Sequence, residues 1–303
     1  VQPKVKSIRG TNTIHYKVVS PNNIMQIDLQ PPMKLIKAVQ DEVELSINQN
    51  GNAHFIQLEK KQNRKKIEQI VLHFEGQPKE AINAPWDGGF SWKKDYNDND
   101  FIATSCQGIG ASVWWPNKDH MYDEVDSMLI SVTNPKELTN ISNGRLRSKN
   151  DNNDGTVTSH WFVNNPINNY GVNINIGHYV KFSDQYAGLQ GLLDCTYWVL
   201  DYNLEKAKKQ FTQVSDMLEA FEYWFGPYAW DRVGYIMTTD GALEIAENIA
   251  YPNSMVNASL AANGRLFTHE LGHHWWGDLV APSIHNHMWI KEGPAEYSSH
   301  LFI

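Results

Sequence analysis

The chain has 303 residues, of which 41% are hydrophobic and 20% are charged. This composition is typical of a globular protein with a sizeable core and excludes a disordered or collagen-like chain. With 26 Lys and Arg against 34 Asp and Glu, the formal net charge is −8, so the chain lacks the basic surface that nucleic-acid binding requires. No run of about 18 apolar residues occurs, and we expect no membrane-spanning helix. Its two cysteines, Cys106 and Cys195, are too few for a disulfide framework or a cysteine-rich zinc site.

The first half of the chain predicts a β-rich region. Apolar and polar residues alternate over Ile24 to Leu29 and again over Ile67 to Phe74, which is the period of a strand with one buried face. Between these runs, Asn50-Gly51 is typical of a tight hairpin turn. Short strands separated by turn residues continue to about residue 200, as a sandwich or another sheet-rich domain requires.

The pattern changes near residue 200. Apolar residues spaced three or four apart from Leu204 to Phe225 form one stripe, which predicts an amphipathic helix that ends at Gly226-Pro227. A short strand over Val233 to Thr238 and a second helix from about Asn263 follow. We place a domain boundary around residues 197–203 and divide the chain into a β-rich domain, 1–200, and a second domain, 201–303.

A metal-binding pattern lies in the second helix. His269 and His273 belong to an H-E-x-x-H sequence, and residues four apart on a helix share one face, so the two imidazoles can bind one metal ion. Glu270 can then reach a metal-bound water without binding the metal itself. Glu292, nineteen residues after His273, is the candidate third ligand of a zinc site with an open fourth position. Zinc lowers the pKa of such a water and Glu270 takes its proton. A helix with two structural histidines is the alternative, but the apolar flanks, including Phe267, favour a buried site.

The segment Thr268 to Val280, together with Trp289-Ile290-Lys291-Glu292-Gly293, resembles the M1 family of zinc aminopeptidases, the gluzincins. The family has a W-L-N-E-G stretch around its third ligand, and this chain has Lys291 in place of the Asn. The resemblance implies an α/β (α+β) fold with a β-rich, saddle-like N-terminal domain followed by a truncated thermolysin-like zincin domain. It also implies one zinc ion per chain, held by the two histidines and the distant glutamate, with the glutamate of the helical motif as general base.

Members of this family bind the free amino terminus of the substrate through the Glu of a G-x-M-E-N signature. The sequence from Gly241 to Glu244 is similar to this signature but lacks its Asn, whereas Glu247-Asn248 keeps the E-N pair without the Gly spacing. The resemblance therefore leaves two candidates for the amine anchor, Glu244, which we favour, and Glu247. We expect the other one to be a solvated loop residue. Gln107 lies in a segment similar to one that lines the family's substrate site, and a turn that closes a strand is the alternative for it.

Three further groups near the motif need an interpretation. Glu296, one turn after Glu292, either orients a ligand histidine or is a surface charge of its helix. His274 is expected to pack beside the motif helix rather than to bind a second metal. Tryptophans near the predicted cleft are expected to lie in the core, with a role as a wall of the substrate site left open; they are Trp114, Trp115, Trp275 and Trp276.

These features predict a zinc metallo-aminopeptidase that acts on peptides with a free amino terminus. An endopeptidase on the same fold and a catalytically incomplete zinc-binding scaffold are the alternatives. The family's transition-state Tyr lies well downstream of the third ligand, and Tyr297 is too close to Glu292 for that role. Because the chain ends at Ile303, we expect the N-terminal part of a longer protein, whose downstream helices activity would need. With no cytosolic marker present, the sequence favours an exported protein, periplasmic or extracellular, and leaves its oligomeric state open.

Overall fold

Strands dominate the chain before residue 200, as the sequence predicts, in a computed structural model that describes residues 1–256 and 264–302. The first seven strands are β1 (Ile8–Lys17), β2 (Ile24–Asp28), β3 (Lys34–Gln40), β4 (Val43–Leu45), β5 (Ile47–Asn50), β6 (Ala53–Gln57) and β7 (Ile67–Gly76). They form one sheet in the order β1-β7-β3-β4 and another in the order β2-β6-β5, which share a small apolar core. The Asn50-Gly51 turn joins β5 to β6 in an antiparallel hairpin, which confirms that prediction.

The next seven strands form a second pair of sheets, and the half-buried Gln107 lies two residues after the end of one of them. They are β8 (Gly89–Lys94), β9 (Asp100–Ser105), β10 (Met128–Pro135), β11 (Thr139–Ser142), β12 (Arg145–Asp151), β13 (Thr156–Val163) and β14 (Ile174–Gly177). The sheet orders are β11-β14-β9-β8 and β10-β13-β12. Because β9 is buried along nearly its whole length, the turn that follows it begins inside the protein.

A fifth sheet contains strands from both sides of residue 200. It consists of β15 (Tyr179–Gly188), β16 (Gly191–Leu200), β17 (Arg232–Thr238) and β18 (Ile249–Pro252). β15 and β16 form an antiparallel hairpin, whereas β16 pairs with β17, and β17 with β18, in parallel. The predicted boundary coincides with the end of β16, yet β16 is hydrogen-bonded to β17, which lies after the boundary in the sequence. The division into 1–200 and 201–303 stays a prediction.

The helices follow this sheet. They are α1 (Leu204–Gln210), α2 (Val214–Phe225), α3 (Gly264–Gly272) and α4 (Trp289–Phe302). The predicted single helix over 204–225 is thus two helices joined by a 3-10 turn, in which the hydroxyl of Thr212 donates to the carbonyl oxygen of Lys209 at 2.9 Å. Side-chain bonds of this kind bend helices. The predicted start of the second helix at Asn263 lies outside the described residues. No helix among residues 1–256 and 264–302 is long and apolar enough to cross a membrane.

An aromatic core fixes α3 in place. Phe267 on α3 is fully buried; its ring is stacked on Phe211 with centroids 5.3 Å apart and contacts Tyr235 of β17 at 4.7 Å. On the opposite side α3 packs against α4. A Cβ atom at Gly272 would lie 3.0 Å from the Cβ of Ser298, so a glycine at this position permits the close approach of the two helices. The sheet, α3 and α4 therefore form one packed unit around the motif.

Candidate metal centre

Three side chains, from α3, from the residue that follows it and from α4, converge on one point. The Nε2 atoms of His269 and His273 lie 3.0 Å apart, and Oε2 of Glu292 lies 3.7 Å and 3.5 Å from them, respectively. Ligands that are about 2.0–2.1 Å from a tetrahedral zinc ion lie about 3.3 Å from one another. The predicted ligand set therefore has the dimensions of a zinc site, with three protein donors and an open side.

The second nitrogen of each imidazole, Nδ1, also has a hydrogen-bonding partner. Nδ1 of His269 lies 3.1 Å from Oε2 of Glu296, and Nδ1 of His273 lies 2.9 Å from the carbonyl oxygen of Trp276. A proton on Nδ1 in each ring leaves the Nε2 lone pair free for a metal ion. Of the two interpretations of Glu296, the structure thus supports contact with a ligand histidine.

The carbonyl of Trp276 reaches His273 because the backbone kinks after α3. Within the wide turn His274–Leu279, Trp276 and Gly277 leave the helical conformation, and Gly277 has a φ of +139°. A Cβ atom at Gly277 would lie 3.2 Å from Nδ1 of His273. Glycine is needed here both for this backbone conformation and for the close contact with the ligand histidine.

Glu270 is buried beside the ligands. One of its carboxylate oxygens, one of Glu244 and a ring nitrogen of His273 all lie within 4.8 Å of one another. Oε2 of Glu270 has no hydrogen-bond partner among the described residues. Burial raises the pKa of Glu270 to about 8, against the attraction of His273. An unpaired buried carboxylate is costly, and its position near the open side of the ligand set suits a group that exchanges a proton with water.

The site carries an excess of negative charge. Burial alone would lower the pKa of His273, but Glu292, Glu244 and Glu270 together raise it to about 9. A field that favours a proton on a buried imidazole also favours a metal cation between the same groups. The charge distribution and the donor geometry therefore agree on a cation site.

Glu244 is brought to this centre together with Gln107. Nε2 of Gln107 donates to Oε1 of Glu244 at 2.9 Å, and the hydroxyl of Tyr170 donates to the same oxygen at 3.0 Å. The ammonium of Lys291 forms a close ion pair with this oxygen as well. Burial opposes ionisation of Glu244, but the charge of Lys291 outweighs it and lowers the pKa of the carboxyl. The pKa of Lys291 is likewise raised by Glu244 despite burial, so both groups are ionised.

Sequence reasoning gave Lys291 and Tyr170 no role. The presence of a lysine where related sequences carry an asparagine was the one signal for Lys291. Tyr170 belongs to no recognisable sequence motif, and it lies 74 positions before Glu244. Its hydroxyl is fully buried, and burial together with Glu244 raises its pKa well above 10, so it stays a donor.

Glu247, the other candidate for the amine anchor, lies outside this cluster. The expectation that the second glutamate is a solvated loop residue is wrong, because Glu247 is fully buried with a φ of +66°. Burial raises its pKa to about 7, although the charge of Arg232 opposes this. Within the part of the chain that the structure describes, neither carboxylate oxygen has a hydrogen-bond partner. No local sequence pattern predicts that Glu247 is buried.

His274 and the tryptophans are packed as expected. The ring of His274 is buried, with Nδ1 2.7 Å from the hydroxyl oxygen of Tyr228 and Nε2 3.3 Å from the carbonyl oxygen of Ile245. Both of its nitrogens therefore have partners outside the candidate ligand set. Trp114, Trp115 and Trp275 are buried and Trp276 is partly buried.

The part of the chain that carries this candidate site is similar to known peptidases. Residues 202–303 match the family model described as the Peptidase family M1 domain. "Probable aminopeptidase 2" of Sulfurisphaera tokodaii is 26% identical over 252 residues, which cover 77% of this chain and 30% of that protein. "Leucine aminopeptidase 2" of Candida albicans is 24% identical over 212 residues, which cover 65% of this chain and 30% of that protein. The chain thus spans about 30% of the length of these curated relatives.

Solved structures share the fold over nearly the whole chain. The crystal structure of an M1 zinc metallopeptidase from Deinococcus radiodurans superposes with a TM-score of 0.85 at 18% identity, covering 98% of this chain and 66% of that one. A mutant of the same peptidase, described as bound to a Tyr-Ser-Ala substrate, superposes with a TM-score of 0.84. At this identity the likeness establishes the fold alone, a sheet-rich N-terminal region followed by a smaller helical region.

Proposed function

Because residues 202–303 match the model of the M1 peptidase family, we propose that the chain belongs to this family and is the zinc-binding part of an aminopeptidase. The reaction is hydrolysis of the first peptide bond of a peptide substrate. The observation that carries the proposal is the convergence of His269, His273 and Glu292 at zinc-ligand distances, with Glu270 buried beside them. The aminopeptidase names of the curated relatives support the same reaction class.

The donor set fits zinc. Two imidazole nitrogens with fixed tautomers and one carboxylate oxygen are the ligands that catalytic zinc prefers. When bound, the ion supplies a Lewis acid that lowers the pKa of water and polarises a carbonyl oxygen. The protein contributes ligands that are held in place before binding, since Glu296 and the carbonyl of Trp276 fix both rings.

In the proposed mechanism, Glu270 transfers a proton from the attacking water to the leaving group. Its carboxylate accepts a proton from the water that attacks the scissile carbonyl carbon, and later transfers that proton to the nitrogen of the leaving peptide. A buried carboxylate with a raised pKa is suited to hold a proton between these two steps. A group that lies on the ligand helix but is not a ligand remains free for this exchange.

Glu244 faces the amino terminus of the substrate in this proposal. Its Oε1 atom is fixed by Gln107 and Tyr170, and its Oε2 atom remains available to accept a hydrogen bond from the substrate nitrogen. A carboxylate oxygen of Glu244 lies within 4.8 Å of one of Glu270. A peptide held there by its first nitrogen would therefore present its first carbonyl group near Glu270.

Product analysis tests the proposal. The complete protein to which this chain belongs is incubated with zinc and a decapeptide, and the products are identified by mass spectrometry, with a chelator-treated sample as control. We expect zinc-dependent release of single residues from the amino end. Internal cleavage would instead indicate an endopeptidase, and bound zinc without cleavage would indicate a non-catalytic scaffold; either result contradicts the proposed function.

A further inference from the structure

The ion pair between Lys291 and Glu244 is enclosed by the protein. The exposed fractions of the two side chains are 0% and 4%. Gln107, Tyr170 and Lys291 each donate a hydrogen bond to Oε1 of Glu244. No described residue donates a hydrogen bond to Oε2. One oxygen of the carboxylate is therefore saturated, while the other is left for a further donor.

Lys291 is held firmly in this position. Its Nζ atom lies 3.4 Å from the hydroxyl oxygen of Tyr170 and 3.5 Å from Oε1 of Glu292, and 5.2 Å from the centroid of the Tyr170 ring. The ammonium thus lies between two carboxylates and beside an aromatic ring. Rearrangement would leave a buried charge unpaired, which is strongly unfavourable. We therefore expect the pair to persist when a substrate binds.

This arrangement changes what the site can recognise. A substrate ammonium at Oε2 of Glu244 is attracted by a carboxylate and repelled by the nearby ammonium of Lys291. The two interactions have opposite sign, so the ammonium of Lys291 offsets part of the attraction that Glu244 exerts on a charged amine. An uncharged N–H group can also donate a hydrogen bond to Oε2 of Glu244. The ammonium of Lys291 does not repel such a group, so Lys291 does not weaken its binding.

We infer that Lys291 is a specificity-determining residue, which neutralises Glu244 and makes the site tolerant of peptides whose amino terminus is uncharged. The ligand class is a peptide with an N–H donor at its amino end, either a free amine or an N-acyl amide. This inference rests on the proposed function, because it takes Glu244 as the group that faces the substrate's amino terminus.

The test measures binding, so it does not depend on turnover. L-leucinamide and N-acetyl-L-leucinamide are titrated calorimetrically into the full chain carrying Glu270→Gln, with and without zinc, at pH 6.5, where a free α-amine is protonated. With Lys291 present, we expect the two dissociation constants to agree within about tenfold. Adding Lys291→Met should increase the preference for L-leucinamide by at least about tenfold, because the carboxylate then lacks its counter-ion.

Two further variants separate charge from packing. Lys291→Arg keeps the positive charge and should keep the original ratio of dissociation constants. Tyr170→Phe removes a neutral donor from the same oxygen of Glu244 and should also leave the ratio unchanged. Circular dichroism establishes that each variant is folded, and Lys291→Gln replaces Lys291→Met if the latter does not fold.

Three results would overturn the inference: a preference for L-leucinamide above about tenfold with Lys291 present, a ratio that neutral substitution of Lys291 does not change, or no binding of either ligand. The proposed function fails by a different observation, the lack of zinc-dependent cleavage at the first peptide bond. The two failures are therefore distinguishable.

Discussion

Oε2 of Glu296 lies 3.1 Å from Nδ1 of His269, across the contact between α4 and α3. The same helix carries the proposed ligand Glu292, one turn earlier. In the proposed site, α4 therefore contributes both a donor to the metal and the group that orients a donor from the region of α3. The guanidinium of Arg265 also forms a close ion pair with Glu296, which holds this carboxylate against α3.

Glu296→Ala should weaken zinc binding without removing any ligand. Loss of the carboxylate frees the ring of His269 to rotate and to change tautomer, and such outer groups are worth about 10–100-fold in metal affinity. Competition with a chromophoric chelator measures the change. Glu219→Ala, an exposed glutamate on α2, is the matched control. Equal affinity in the two variants would show that Glu296 is only a surface charge.

Removal of a ligand should have a larger effect. In His273→Ala, two donors remain, which is too few for a stable site with an open position, and bound zinc should fall from about one ion per chain towards zero. Inductively coupled plasma mass spectrometry after gel filtration measures the ratio. His15→Ala, on the exposed side of β1, should keep its zinc. Full occupancy in His273→Ala would refute the ligand assignment.

Glu270→Gln should separate chemistry from metal binding. The amide cannot accept the proton of the attacking water, and the loss of such a base lowers kcat by about 10²–10⁴-fold. Bound zinc should stay at the wild-type level, because Glu270 is not one of the ligands. Glu205→Gln, at an exposed position of α1, controls for the general effect of the substitution. Substantial hydrolysis by Glu270→Gln would assign the base to another group.

The sequence was informative where the determinants are local. The two histidines of the motif lie one helical turn apart, so their convergence follows from helix geometry alone. The alternation of the strands and the Asn50-Gly51 turn are likewise local patterns, and the structure confirms both. The position of Glu292 could be predicted only because it lies in a recognisable motif at a familiar spacing.

Features that depend on tertiary packing were missed. The ion pair of Lys291 with Glu244 joins residues 47 positions apart, and no periodicity predicts which charges will be buried together. The same holds for Glu247, which polarity alone places in a solvated loop, whereas the fold buries it where the charge of Arg232 acts on it. The break between α1 and α2 leaves the apolar stripe continuous, so hydrophobic spacing could not reveal it.

The aromatic contact beneath the motif should be important for stability. Phe267→Ala removes a fully buried ring that is stacked on Phe211, and a cavity of this kind costs about 3–5 kcal/mol in the free energy of unfolding. Urea denaturation followed by tryptophan fluorescence measures the change. Ile82→Ala removes apolar atoms from a side chain that is 89% exposed and should change stability by less than about 0.5 kcal/mol. Similar losses in both variants would contradict the role given to this core.

Glu247 should make stability depend on pH. In the folded protein, burial raises its pKa to about 7, whereas an unfolded glutamate titrates at about 4.3. Between these values the folded state binds more protons than the unfolded state, so the free energy of unfolding falls as the pH rises and levels off above about pH 7. The expected loss across this window is about 4 kcal/mol.

Glu247→Gln cannot titrate and should lose less stability than the wild type between pH 5 and pH 8, as measured by urea denaturation at both values. Glu247→Gln also removes the group whose charge acts on Arg232, so the absolute stabilities of the two proteins are expected to differ. The informative quantity is therefore the difference between the two pH values. Glu219→Gln, which is exposed, should keep the wild-type difference. If Glu247→Gln lost as much stability as the wild type over this interval, Glu247 would not be the group that titrates there.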